Sequence, residues 1–414
     1  MADEKNNIEE VVLYAMEKDP TKLNLTKFQI GNENLRLICL SINLKEITVL
    51  NLESNNISSE GIQYLSTCQK LSKLTSLNLA NNHIGDKGIE FFKNLRHLNK
   101  ITYLNFENNN IGPEGIEFFS KCDFLSKLTN LILAKNNLGN KGIENLSNCR
   151  FIDREMISLN LEGNNIGFDG MMYFNWLDEL YKLSSLNLKN NNFGNEGMGE
   201  LMKCKCLKKL TSLNLENNNI SDLGIEFFSW CKFFSELLSL NLSHNFIGDE
   251  GLEKLSNCKF LAKLSSLNLE NNHIGDEGLS FLVTSKYLTK IHTLNLCNNN
   301  ITNKGILDHL VTNTLINEIT NLNLEFNLIG LKGINTLETE FKEKNKVKVA
   351  NLNIKHNYES IIDRNFYLKH KDHKESKEQK DKKDNTYENI FFDVKKWIVI
   401  ISCIFLIILI CFRY

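Results

Sequence analysis

The sequence predicts an α/β solenoid, a horseshoe with parallel strands inside and helices outside, plus one C-terminal transmembrane helix. Three observations predict it. First, a run of the form L-x-x-L-x-L returns along most of the chain. Its middle residue is Leu50, Leu77, Leu104, Leu131, Leu159, Leu186, Leu213, Leu240, Leu267, Leu294, Leu322 and Leu352. The steps are 27 residues, except for 28 after Leu131 and after Leu294 and 30 at the end; a looser copy at Leu23 makes about thirteen turns over residues 23–357. Second, Asn and Gly punctuate every copy at fixed places. Third, residues 397–412 carry no charge at all.

Residues 1–22 open with MADEKNNIEEVVLYAMEKDP, which is acidic and has no apolar core, so it does not read as a signal peptide. IEEVVLYAM reads as a helix that caps the first turn. In each copy the marker Leu and the residue two further on are apolar, as at Leu50 and Leu52 or Leu104 and Phe106. Such short alternation is a strand with one buried face. An Asn follows (Asn55, Asn82, Asn109, Asn136, Asn164), expected to bond backbone groups that the bend leaves unpaired. A Gly comes next (Gly61, Gly88, Gly115, Gly142), expected to supply a positive φ or a close approach before a helix. Apolar residues then recur every third position, as at Ile62, Leu65, Cys68 and Leu71, which fits one buried stripe on a short helix with some 3₁₀ character.

One turn cannot bury its own apolar face, so stacked neighbours build the core. Strands stack about 4.8 Å apart and helices about 8–10 Å, which bends the stack with the strands inside. Residues 358–396 include YLKHKDHKESKEQKDKKDNTYEN, a mixed-sign charged run expected to be a linker. WIVIISCIFLIILICF, residues 397–412, then reads as a tail anchor. As a helix it is about 24 Å long against a hydrocarbon core of about 30 Å. The expectation is a single-pass membrane protein with the solenoid facing the cytosol, the short span favouring an endomembrane.

LNLENNNISDLGI at 213–225 and LNLENNHIGDEGL at 267–279 resemble the ribonuclease-inhibitor subfamily of leucine-rich repeats. Similar repeats form the sensing arrays of NOD-like receptors and also Ran GTPase-activating protein. The resemblance implies the horseshoe fold and says little about function. No nucleotide-binding domain precedes the repeats here, and Arg96, Arg150 and Arg154 do not sit in a loop that matches the GTPase-activating family.

Lys and Arg number 48 against 50 Asp and Glu, so nothing points to nucleic acid. Cys68, Cys122, Cys149, Cys204, Cys231 and Cys258 share one place in the repeat, which is expected on the buried helical stripe. The chain has no C-x-x-C pair, no phosphate-binding loop, no H-E-x-x-H and no G-x-S-x-G. No catalytic residue, metal or cofactor is expected.

Binding residues are sought on the strand-lined face. Three residues after alternate markers stand Glu53, Glu107, Glu162, Glu216, Glu270 and Glu325, with Ala80, Ala134, Lys189, Ser243 and Cys297 between them. This alternation points to duplication of a two-turn unit and paints a broken acidic stripe able to take a basic partner. Tyr103 is the clearest aromatic on that face. Two irregular stretches are further leads: residues 150–156, and residues 171–182, where Tyr173, Trp176 and Tyr181 are expected on the outer side. The function expected from all this is a membrane-tethered, non-enzymatic scaffold or recruiter that binds a protein partner through the repeats and the lipid bilayer through residues 397–412. The alternative is an inhibitor or regulator of a partner enzyme, with GTPase activation behind it.

Overall fold

The computed structural model describes residues 2–17, 19–41, 44–150, 152, 155–177, 180–313, 318–343 and 351–357. The chain divides into two compact units, Met1–Glu359 and Ser360–Tyr414. The described residues all lie in the first. They form a solenoid with a parallel sheet of thirteen three-residue strands, hydrogen-bonded in sequence order, and helices along the outer side. Every marker Leu pairs with the next: Leu23 with Leu50, Leu50 with Leu77, and so on to Leu322 with Leu352.

Register survives the longer steps because the extra residue is absorbed elsewhere. After Leu131 it falls between buried Ile152 and Met156, four apart where Leu125 and Leu128 are three apart. After Leu294 the outer segment Gly305–Leu310 is a π-helix, with the Val311 N–H donating to the Ile306 carbonyl at 3.2 Å. An i→i+5 turn takes one residue more than an α-turn.

The core is one continuous apolar column. The marker, the residue two beyond it and the helix stripe meet there, with Phe92, Phe106 and Phe119 packed edge to face or tilted at 5.1–6.2 Å. At the start, the helix Ala2–Met16 buries Ile8 and Val12. The three-residue apolar period does not make one helix. In the turn of Leu50 an α-helix over Ser59–Thr67 ends at Cys68, and a 3₁₀ turn over Gln69–Leu71 follows. The cysteines therefore sit at this junction and not on the helix. Burial pushes the Cys122 thiol up to about 12 and that of Cys231 to about 11.

The repeated Gly acts by close approach. A Cβ on Gly115 would stand 2.4 Å from Asp86 Oδ1 and 2.8 Å from Ile111 Cγ2. Asp86 is there for a reason: its Oδ1 accepts the Gly112 N–H at 2.6 Å, satisfying the start of the helix Pro113–Phe119 in the next turn. Asp222 does the same for Gly248 and Asp249 for Gly275, each at 2.7 Å.

The expected transmembrane helix requires correction. Among the described residues no helix is long and apolar enough to cross a membrane. The longest, Ala2–Met16, has 15 residues and carries Asp3, Glu4, Lys5, Glu9 and Glu10, where a span needs about 20 apolar ones. The linker 358–396 and the stretch 397–412 lie outside the described residues. The single-pass membrane localisation, the cytosolic orientation and the lipid-bilayer partner are withdrawn with the span.

Candidate partner-binding face

The strand-lined face is built from a repeating polar device. The Asn after each marker bends its carboxamide back onto its own turn, as where Asn51 Oδ1 accepts the Glu53 N–H at 3.0 Å. Its Nδ2 reaches the turn before. Asn78 donates to Glu53 at 3.2 Å, Asn187 to Glu162 at 3.2 Å, Asn241 to Glu216 at 3.0 Å, Asn295 to Glu270 at 3.0 Å and Asn353 to Glu325 at 2.7 Å. Five of the six stripe carboxylates are thus held by the following strand.

Glu107 departs from the rule because Ile132 replaces Asn on the following strand. Its Oε1 pairs instead with Lys135 Nζ at 2.6 Å. Glu216 is also neutralised, by Lys189 at 3.0 Å, and His356 lies 3.8 Å from Glu325. Glu53, Glu162 and Glu270 make no ion pair among the described residues. All six glutamates are half-buried, not fully exposed. Tyr103 sits on the strand Tyr103–Asn105. Burial raises its pKa, Glu107 and Glu53 add to that, and a hydrogen bond to Asn105 opposes it. Tyr103 therefore shares one patch with the first two carboxylates of the stripe.

The residue after each stripe position takes a left-handed backbone. Ser54, Asn81, Asn108, Lys135, Gly163, Asn190, Asn217, His244, Asn271 and Asn298 all have φ between 53° and 64°. Asn is tolerated there better than most residues, and side-chain bonds tie the column together, as from Asn108 to Asn81 and from Asn217 to Asn190, both at 2.9 Å. Behind it runs the buried corner Asn. Asn136 Nδ2 donates to the carbonyls of Phe106, Leu133 and Ala134 at 2.9–3.1 Å, and its Oδ1 accepts the N–H groups of Asn109 and Ile111 at 3.0 Å. Every bond of Asn136 is to backbone, which leaves its side chain nothing for a ligand.

Among the described residues no group of His, Cys, Asp and Glu could hold a metal ion. The stripe presents carboxylates on alternate turns, about 10 Å apart along the stack, too far for paired acid–base work.

The family described as Leucine Rich repeat matches residues 46–66, 70–93, 97–120, 124–147, 182–202, 206–229, 236–256 and 261–283. The chain has the leucine-rich repeat fold. A crystal structure of an internalin from Listeria monocytogenes is similar at 21% identity, with a TM-score of 0.51, over 85% of this chain and 94% of that one. A leucine-rich repeat protein of Leptospira interrogans is similar at 20% identity over 76% of this chain and 80% of that one, with a TM-score of 0.41. No curated protein matches the chain. At these identities the structural likeness concerns the fold.

Two features of these leucine-rich repeats escaped sequence reasoning. The sequence analysis names no partner for the glutamates, yet an Asn of the next strand, 25 residues later in four cases and 28 in the fifth, holds five of them. The 25-residue spacing from Glu to Asn, shared by four of the pairs, could have given this. The second is Trp230 on the outer side, 66% exposed and as open as the expected Trp176 and Tyr181 at 63% and 59%, whereas Tyr173 is only half-exposed. Within 150–156, residues 151, 153 and 154 lie outside the described residues.

Proposed function

We propose that the chain is a non-enzymatic protein-binding scaffold that takes a basic partner on its strand-lined face. The observation that carries this reading is the set of carboxylates at Glu53, Glu162 and Glu270, each positioned by a strand Asn and none in direct ion-pair contact with a described cation. Held carboxylates lose little freedom on binding, which favours affinity. Glu107, Glu216 and Glu325 extend the stripe, with Lys135 and Lys189 as exchangeable partners of the first two, and Tyr103 adds an aromatic contact beside Glu107. The repeats are read as the ribonuclease-inhibitor type because each turn carries a helical segment outside and spans mostly 27 residues.

The test is calorimetric titration of the full chain with a Lys/Arg-rich peptide, repeated on a Glu162→Lys, Glu216→Lys, Glu270→Lys variant. Binding should fall by at least about tenfold, as expected when like charges face each other across an interface. Unchanged affinity in a variant with native circular dichroism removes the stripe as the binding face.

A further inference from the structure

A groove opens on the outer side, away from the acidic stripe. It has a volume of about 510 Å³ and is lined by Asn175, Tyr181, Lys203, Lys205 and Lys208. Asn175 caps the helix Phe168–Phe174, Lys203 follows the helix Gly194–Leu201, and Lys205 and Lys208 belong to the 3₁₀ turn Lys205–Lys209. Two neighbouring repeats thus build it.

Its floor is braced. Asn175 Nδ2 donates to Glu200 Oε2 at 3.0 Å and its Oδ1 accepts from Cys204 Sγ at 2.9 Å. Lys203 Nζ lies 2.7 Å from Glu200 Oε1, while Lys205 and Lys208 make no ion pair among the described residues. Among the described residues, three ammonium groups stand against one carboxylate, a local excess of positive charge. Lys232, Lys259 and Lys286 recur at 27-residue steps from Lys205, all exposed, so the charge continues along four turns.

The groove is also flanked by apolar surface. Trp176 and Trp230 occupy the same place two turns apart, with Lys203 at that place between them. Each indole is 63–66% exposed and stands edge-on to one neighbour, Tyr173 at 5.0 Å and Phe227 at 5.6 Å. These contacts fix the rings without covering them. Exposed, fixed Trp and Tyr are the residue types that dominate protein interfaces.

We infer that this groove docks an acidic peptide segment of a partner protein, carboxylates toward Lys205 and Lys208 and an apolar side chain against Trp176 and Tyr181. Opposite charge places the acidic partner here and excludes it from the strand-lined face.

The experiment is fluorescence anisotropy of a labelled Glu-rich peptide bearing one Phe, titrated with the full chain. K205E/K208E should weaken binding by at least about tenfold and Trp176→Ala by about threefold or more, with affinity falling as salt rises. The control K100E/K127E makes the same charge change at exposed lysines elsewhere on the molecule and should leave affinity within about twofold. All of these side chains are exposed, and circular dichroism verifies that each variant is folded. Equal weakening by the control overturns the proposal, as does retention of binding by K205E/K208E. Tighter binding of a single-stranded oligonucleotide of equal charge, also lost in K205E/K208E, overturns it in favour of nucleic acid.

Discussion

Lys135 Nζ lies 2.6 Å from Glu107 Oε1, and this pair stands where every other stripe glutamate is held by an asparagine. The substitution of Ile132 for Asn on the next strand is the cause. Lys135 is 56% exposed and Glu107 27%, so the pair is worth less than about 1 kcal/mol. Lys135→Ala should therefore barely move the denaturant midpoint. It should tighten binding of a Lys/Arg-rich peptide, because it bares Glu107 and also removes the positive charge near Glu162. Weaker binding would mean that Lys135 itself contacts the partner.

The corner asparagines share a position but not a hydrogen-bond count. Asn136 Oδ1 accepts two backbone N–H groups, whereas the buried Asn218 Oδ1 has no partner. Leucine at 136 would orphan both amides, at about 1–3 kcal/mol each. Asn136→Leu should cost roughly 3–5 kcal/mol and Asn218→Leu clearly less, since only the bonds of its Nδ2 to Leu188 and Glu216 are lost. Urea unfolding of the two variants side by side checks the order; equal losses would refute it.

Gly115 and Asp86 are coupled across one turn. Gly115→Ala forces its Cβ against Asp86 Oδ1 at 2.4 Å and should cost about 1–3 kcal/mol. Asp86→Ala loses the bond to the Gly112 N–H and should cost about 1 kcal/mol. The double variant should lose less than the two together, because removing the carboxylate removes part of the clash. Strict additivity in a double-mutant cycle would show that the crowding comes from Ile111 alone.

His97 is the misfit of the core's rim. Both ring nitrogens are buried without a partner, and burial lowers its pKa from the ordinary 6.5. The unfolded chain therefore takes up a proton that the folded chain refuses. Stability is full above about pH 6.5 and declines as pH drops below it, until the folded ring protonates as well. The same repeat position holds Phe124, Phe233 and Phe260, which pack against the core. His97→Phe should add about 1–2 kcal/mol and flatten the stability profile below pH 6.5. Thermal midpoints of both proteins from pH 5 to pH 8 would show it.

Much of the fold was legible because each turn writes the same geometry. Leu50 predicted its partner Leu77 from spacing alone, and twelve registers follow that way. What spacing could not tell is how a longer step is absorbed. The residue added after Leu294 becomes a π-turn, while the one added after Leu131 enters the return segment, a choice made by packing. The stripe glutamates could be named from sequence, but their strength as acceptors depends on cross-turn partners such as Asn187 and Lys189. The outer groove joins Asn175 to Lys208, 33 positions apart, through stacking that no single repeat displays. The uncharged run 397–412 gave a membrane span by hydropathy alone, without any tertiary observation behind it.

The corner asparagines also give the solenoid a grain. Asn136 serves Asn109 and Ile111 of the preceding turn and reaches the Phe106 carbonyl there; for the turn that follows, it depends on Asn164, which reaches the Leu133 carbonyl. Stripping a turn from the C-terminal side thus bares two amides and a carbonyl in the turn left behind. Stripping one from the N-terminal side frees, of the corner bonds, a side-chain oxygen and one amide proton, while the Asn130 and Asn137 N–H groups lose the carbonyls of Thr102 and Ile111. The corner ladder is therefore directional: each Asn completes the backbone of the turn before it, so a C-terminal turn carries its neighbour's corner bonds away with it, while an N-terminal turn leaves its neighbour's own Asn in place.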